Sequence, residues 1–343
     1  MYRQAINSTN DIRQVINIYN AVTCRNRTVE QHLWEWFGSP YKNKSYLIVA
    51  GKNKVVGHHG LLTVLFDYKG KRYRVGKTEN TVMKRGFGAM YPKTEMAMHA
   101  EYSPCYDFLL TTAARGVTKR IREKLGYCFF ANYINYVCVV DFDFVLDSVS
   151  SLFLKKIIKL LLPIGDLFTG EKKTNSRFSE EIVSLDENSV KKIVRLYSSV
   201  KDKNGFMQAR EVDFLRYRLL DNPYIKFNVL FLSKEGRIVG LLVYSVNKDK
   251  LIVDDVLFTE ALFLQEMLNR LVNYAKEKSS IRLVVFTTLE NSLLDLEFKY
   301  FWRRKPKKEA SVVMIKDQIK NGNKNRLKVD DCYFTRLTNE GIS

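Results

Sequence analysis

The residues whose spacing carries most chemistry are Lys84-Arg85-Gly86-Phe87-Gly88-Ala89, a basic turn holding two glycines. The stretch before it has the β-branched content of a strand (Val75, Thr78, Thr81, Val82), and the stretch after it, Lys93 to Tyr102, offers Met96, Ala97 and Met98 for burial on a helix. A strand, a glycine turn and a helix start together make a phosphate cradle. The first N–H groups of the helix have no intrahelical acceptor, the helix dipole favours an anion there, and glycines let a pyrophosphate approach the backbone. Lys84 and Arg85 add charge-assisted contacts. Neither GxGxxG nor GxxxxGK[ST] is present, so the dinucleotide-fold and P-loop forms of this chemistry fit less well.

The elements around the turn repeat. Ile12, Val15, Ile16 and Tyr19 recur at helical spacing behind the capping candidates Thr9, Asn10 and Asp11, and a short aromatic helix follows at His32 to Phe37. Tyr46 to Ala50 and Val55 to Leu62 read as a hairpin. Tyr106 to Thr112 reads as a buried strand, Gly116 to Lys124 as a helix capped by Gly126, and Phe129 to Val145 as strand material. Pro40-Tyr41 precedes Gly57 by the same 17 positions by which Pro223-Tyr224 precedes Gly240, and YLIVAGKNKVVG matches VLFLSKEGRIVG turn for turn. Trp34-Glu35-Trp36 stands where Tyr217-Arg218-Leu219 stands in the second copy. Downstream the offset drops by seven residues, in the interval that holds the glycine turn in the first copy. There the second copy runs from Val253 to Glu260 straight into a helix at Ala261 to Lys276, and Asp254, Asp255 and Glu260 read as groups that repel phosphate.

With 343 residues, 46% of them hydrophobic and 27% charged, the chain is globular and long enough for two domains. The expected division is 1–147, a connector at 148–177, a second domain at 178–320 and a loosely held polar tail at 321–343, with a last strand at Cys332 to Phe334. Within the connector, 152–162 is a lysine-studded apolar helix that packs between the domains or lies on an anionic membrane surface. No run reaches the ~20 apolar residues of a membrane span, and the first residues lack a signal-peptide core, so a cytoplasmic protein is expected. Five cysteines without a CxxC pair read as buried free thiols, and no metal site is suggested. A formal charge of +19 calls for an anionic partner. The basic residues are spread along the chain and no nucleic-acid motif accompanies them, so nucleic acid ranks below a small anionic acceptor.

The order β-α-α-β-β-β-α-β-α-β in each half, with a phosphate turn after the fourth strand, resembles the GCN5-related N-acetyltransferase (GNAT) superfamily. The resemblance implies an α/β (α+β) protein of two tandem GNAT-like domains, each a mixed, mostly antiparallel sheet flanked by helices. It further implies acetyl-CoA as co-substrate, held by Val82, Met83, Lys84, Arg85, Gly86, Phe87, Gly88 and Ala89. GKTENTV, RGFG and YDFLLTTAARGVTKRIREKLGY look like the tandem-GNAT proteins of bacterial surface-polysaccharide gene sets, in which a degenerate copy follows the active one. Met90 stands where a small residue is usual, the customary His-Pro pair before Arg85 is missing, and Arg122 occupies the place of the tyrosine that many members use as general acid.

Such a reaction needs a base for the acceptor's proton and a backbone N–H of the fourth strand to polarise the thioester carbonyl. Glu79, on that strand and close to the turn, is the best-placed carboxylate. Strand alternation puts Glu79 and Thr81 on one face and Asn80 and Val82 on the other. His58 and His59 must face opposite ways, and His59 is the second candidate. Tyr127, Tyr133 and Tyr136 are possible proton donors, and His99 is expected to pack. The function implied is N-acetylation of an amino group on a small or sugar-like acceptor, with a nucleotide-linked amino sugar as one such acceptor. A non-catalytic tandem-GNAT binding protein and a FemAB-like transferase that takes aminoacyl-tRNA are the alternatives.

Overall fold

The computed structural model describes residues 1–4, 8–52, 54–112, 116–141, 172–203, 205–304, 312–317 and 327–339. The expected helix at 152–162 lies outside them. In the first half β1 (Tyr2–Gln4) is followed by helices α1 (Thr9–Thr23) and α2 (Val29–Phe37) and strands β2 (Lys44–Ala50), β3 (Lys54–Tyr68) and β4 (Lys71–Met83). Helix α3 (Tyr91–Tyr102), β5 (Phe108–Thr112), α4 (Gly116–Lys124) and β6 (Cys128–Val139) complete it. Ser8, rather than Thr9 to Asp11, caps α1, its hydroxyl accepting from the Asp11 N–H at 3.2 Å. Thr28 and Gln31 form a reciprocal capping box on α2.

The second half runs β7 (Phe178–Ser184), α5 (Glu187–Val200), β8 (Phe206–Gln208) and α6 (Val212–Leu215), which a π-helical turn extends over Arg216–Leu220. Then come β9 (Phe227–Lys234), β10 (Arg237–Asn247), β11 (Lys250–Phe258), α7 (Leu262–Lys276), β12 (Leu283–Leu289), β13 (Trp302–Arg304), β14 (Val312–Asp317), β15 (Cys332–Tyr333) and α8 (Arg336–Asn339). The repeat holds as topology: β1-β2-β3-β4-β5 and β7-β9-β10-β11-β12 are laid in the same order, with one parallel step, between β4 and β5 and between β11 and β12. The remaining steps in these two runs are antiparallel, and the architecture is the expected mixed α/β one. Among the described residues no helix follows β12 where α4 follows β5.

The two halves exchange strands. Cys128 to Asn132 of β6 pair with β14, and Tyr133 to Val139 pair with β12 of the second half. In return β14, close to the end of the chain, lies between β5 and β6. One sheet therefore runs through the molecule. In the first half α1 packs on one face, where Val15, Ile18 and Tyr19 meet Leu47, Val49, Val55 and Val82. Helices α3 and α4 cover the other, where Tyr91, Met98, Tyr102 and Ile121 meet Tyr46, Ile48 and Leu109, together with Met314 of β14.

Three expectations change. Cys24, Cys105 and Cys128 are exposed, and Cys138 and Cys332 are buried. Residues 312–317 complete the sheet of the first half. The described part of the tail is not loosely held, since Cys332, Tyr333, Phe334, Thr335 and Leu337 are all buried.

Because neither half closes its sheet with its own strands, the chain is expected to unfold in one transition. Met314→Ala, a buried truncation costing about 2–5 kcal/mol, should shift optical probes placed in either half to the same new urea midpoint. Two separable transitions, or a shift seen in one half only, would refute the coupling.

Candidate functional site

Strand β4 pairs with β5 only from Val75 to Thr78, opposite Phe108 to Thr111. Beyond Thr78, β4 continues to Met83 and no described strand covers its β5 side, so the two strands part and leave a backbone edge free. The edge leads into the glycine turn. Gly86 has φ +89°, which a side chain would resist, and Gly88 has open space where a Cβ would stand. The Lys84 N–H donates to the Val56 carbonyl at 2.8 Å, and those of Phe87 and Met90 close tight turns. Among the described residues the N–H groups of Arg85, Gly86, Gly88 and Ala89 have no backbone acceptor, and α3 begins directly behind them. Lys84, Arg85 and Lys93 surround this end. Arg120 and Lys124 of α4 line a groove together with the exposed Met96 and Val117. The arrangement offers free N–H groups and positive charge, with an apolar shelf beside them.

The strand is not regular. Gly60 faces Glu79 and His58 faces Val82, so His59 stands opposite both Asn80 and Thr81, and Asn80 has φ +49°. This β-bulge overturns the expected alternation. Glu79 turns to the α2 side, where Lys77 Nζ lies 2.6 Å from its carboxylate. Thr81 turns to the α3 side, its Oγ1 2.9 Å from His59 Nδ1.

On the α2 side, the sequence reading missed Glu35. Trp36 docks so tightly that a Cβ on Gly60 would lie 1.9 Å from its ring. That contact brings Glu35 down onto the bulge, where its Oε1 accepts from Asn80 Nδ2 at 2.6 Å and its Oε2 lies 2.8 Å from Arg27 Nη1. Burial pushes the Glu35 carboxyl up, Arg27 pulls it down, and the Glu79 charge raises it again. His58 also sits here, fully buried, with Nδ1 3.0 Å from the Asn80 carbonyl. The available signal was a carboxylate between two tryptophans on a short helix.

On the α3 side His59 is fully buried. Its Nδ1 lies 3.2 Å from Glu95 Oε2, and Glu95 is paired to Arg122, which is buried in the place where the resemblance expects a tyrosine. Burial raises the Glu95 carboxyl, but His59 and Arg122 outweigh it and hold it down to about 2. Burial holds His59 down to about 4. At neutral pH the pair is thus a carboxylate and a neutral imidazole, closed off from solvent. Glu95, His99 and Tyr102, at helical spacing on α3, share one buried face. Tyr127, Tyr133 and Tyr136 are buried as well, and Tyr136 bonds Asp295 of the second half.

The second copy repeats the geometry and then fills it. Strand β11 pairs with β12 only from Lys250 to Val253, and Val243 faces Asp255 while Tyr244 faces Val253, so the strand bulges at Asp254. Into this opening comes the chain's own C-terminal segment. The Tyr333 hydroxyl donates to the Val256 carbonyl at 2.9 Å, Thr335 to Asp255 at 2.9 Å and Arg336 to Asp254 at 2.5 Å, while Thr288 donates to the Phe334 carbonyl at 2.9 Å. Asp255 is also paired with the buried Arg210 at 2.7 Å. Asp254 and Asp255 therefore anchor cations of this chain, which corrects their reading as bare phosphate-repelling charges.

No family model matches the chain, and no curated protein matches it in sequence. Solved structures do match. A conserved protein from Enterococcus faecalis V583, described as a probable N-acyltransferase, is 11% identical with a TM-score of 0.58, over 92% of this chain and 72% of that one. A GCN5-related N-acetyltransferase from Anabaena variabilis is 14% identical with a TM-score of 0.59, over 92% and 72%. Saccharomyces cerevisiae N-myristoyltransferase with bound myristoyl-CoA is 10% identical with a TM-score of 0.59, over 92% and 79%. Each match runs through both halves, and the likeness is one of fold.

All four histidines of the chain are buried. Burial holds His32, His59 and His99 down to about 4, and His58 well below its ordinary value. Unfolded histidines take a proton near 6.5. The unfolded chain then binds more protons, so stability is full above that pH and falls as the pH drops from 6.5 toward 4. Asp254, which burial holds up to about 6, and Glu35, which burial also raises, act in the opposite sense as they protonate, two groups against four. Urea midpoints at pH 7.5, 6 and 5 should fall in that order; a flat profile would mean that the histidines are not held neutral.

Proposed function

We propose, on the premise of a tandem GNAT fold, that this chain is an acyl-CoA-dependent acyltransferase working in its first half. It would move an acetyl group from acetyl-CoA to an amino group of a small, anionic, sugar-like acceptor. The observation that carries the reading is the continuous path in β4: a free edge beyond Thr78, a bulge at Asn80 and a turn with four unpaired N–H groups at the start of α3.

In this reading Lys84 to Ala89 take the pyrophosphate, with the dipole of α3 and the charges of Lys84, Arg85 and Lys93 favouring the anion. Arg120 and Lys124 add charge beside the shelf formed by Met96 and Val117. The free edge of β4, including Val82 and Met83, takes the extended arm of the co-substrate, and a backbone N–H at the bulge polarises the thioester carbonyl. The acceptor nitrogen attacks that carbon, the C–S bond breaks, and the CoA thiolate leaves. An amine with a pKa near 10 arrives protonated, so a carboxylate must collect its proton. Glu79 is the base because it is the first residue past the parting of the strands and its side chain is still partly exposed, at 13%. Glu35 stands behind it with both oxygens engaged. His59 is enclosed on the other face, and the reading gives it a positioning part through Thr81.

Two outcomes test the proposal. Calorimetry should give one acetyl-CoA per chain, because the second opening is occupied by Tyr333 to Leu337. Gly88→Asp, at a site with room for a side chain, should abolish binding without a loss of fold. A stoichiometry of two, or an unaltered affinity in that variant, would overturn the cradle, and no binding at all would favour a transferase that draws on aminoacyl-tRNA.

Glu79→Gln should lower the maximal rate by about 10²–10⁴-fold and leave acetyl-CoA affinity nearly unchanged. Glu35→Gln should cost less in rate and more in stability, since it breaks a buried pair with Arg27. The reverse pattern would move the role of base to Glu35.

A further inference from the structure

The acceptor side of β4 carries five charged groups, Arg27, Glu35, Lys77, Glu79 and Arg218, of which only Glu79 is more than marginally exposed. Four of them pair. Arg27 lies 2.8 Å from Glu35, whose other oxygen takes the Asn80 amide, and Lys77 lies 2.6 Å from Glu79. Arg218 is left over. It is 5% exposed, its guanidinium sits over the Trp34 ring at 5.8 Å, and among the described residues it makes no contact ion pair and no side-chain hydrogen bond, although its charge is felt by the Glu35 carboxyl that Arg27 holds. A buried guanidinium without a counter-ion in contact is costly to keep. The local tally, three cations against two carboxylates, is short of one negative charge.

The missing charge has a place to sit. Arg218 and Lys77 line one cavity between the halves, together with Asn43, Thr63 and Gln208. The Gln208 side chain is 1% exposed, and its Oε1 has no partner among the described residues. The Thr63 hydroxyl is engaged with Tyr106, and the Asn43 amide with the Glu35 carbonyl and the Thr63 N–H, so the cation lining this cavity without a contacting carboxylate is Arg218. The repeat sharpens the point, because Arg218 stands in the second copy where Glu35 stands in the first.

We infer that this cavity receives an oxyanion of the acceptor, a carboxylate or a phosphate, in the planar fork of Arg218. The inference rests on the acyltransferase reading for the word acceptor and on charge balance for the site itself. An acceptor anchored there meets the protein on the face of β4 that carries Glu79, so its anion is bound by the second half while its amine reacts on the first. Arg suits this task better than Lys because its donors form a rigid fork matched to carboxylate and phosphate.

The test measures the melting temperature of the full chain against sodium phosphate, and separately against sodium acetate, at constant ionic strength and with saturating CoA to keep phosphate out of the glycine turn. The wild type should gain several degrees with at least one anion, and the effective anion identifies the group. Arg218→Gln should lose that gain while still binding acetyl-CoA. If Arg218→Gln does not fold, Arg218→Lys, which keeps the charge and loses the fork, should need about tenfold more anion for the same gain. An equal response in wild type and variant, or none in the wild type, would overturn the site. Failure of acetyl-CoA binding with the anion response intact would overturn the acyltransferase reading and leave the site standing.

Discussion

The exchange of β6 and β14 is the constraint on which the rest of the molecule depends. A strand edge buried without a partner leaves unsatisfied N–H and C=O groups, each costing about as much as a lost hydrogen bond. Each half meets that demand with the other half's strand. The strand order of the first half is met by that of the second in reverse, and residues at equivalent positions of the repeat touch between the halves. Trp34 stacks on Tyr217 with ring centroids 5.2 Å apart, and its indole N–H donates to the Tyr217 carbonyl at 2.7 Å. That contact holds α2 between the second half and β4. It places Glu35 on the bulge and Arg218 against the acceptor side.

One scaffold used twice needs only one working cleft. Both copies part their fourth and fifth strands and both bulge just beyond, so the opening belongs to the fold. What differs is what enters it. In the first copy the strand runs into glycines and free N–H groups; in the second, Asp254 and Asp255 are met by Arg336 and Arg210 and the space is closed by buried side chains of the chain's own end. Desolvated carboxylates are tolerable there because each has a cation at hydrogen-bond distance. The second copy is shorter in its hairpin, since Gly57 pairs with Met83 but Gly240 with Phe258, and what its junction lacks is glycine and basic residues rather than length.

The repeat, the hairpins and the strand-turn-helix around Gly86 and Gly88 were legible because they are local: periodicity and turn residues are written in adjacent positions. The bulge at Asn80 was not, since period-two alternation presumes an unbroken ladder and nothing local shows that His59 faces two residues. The strand exchange was invisible for a different reason. The residues of β6 have the same strand character whichever half they pair with. Burial of Lys77, Glu95 and Arg122 escaped notice because long charged side chains are usually solvated, and the partners of Glu95, His59 and Arg122, are both remote from it in the sequence. Likewise the polar composition after Lys316 hid the apolar cluster at Cys332 to Leu337.

The bulge is where these separate features act on one another. A left-handed conformation at a residue with a side chain costs of order 1–3 kcal/mol and persists only where the surroundings over-determine it. Asn80 is held from the α2 face by Glu35 through its amide and by His58 through its carbonyl. Thr81 is held from the α3 face by His59, which Glu95 and Arg122 hold in turn. Both clamps are buried, and both use an ionised or polar group that is expensive to leave unpaired, so releasing the bulge from one side would strand the groups on that side. A regular strand at this point would turn Glu79 or Thr81 to the wrong face. The network of buried charge around β4 therefore stabilises a backbone shape, and that shape decides which side chain looks into the parting of the strands.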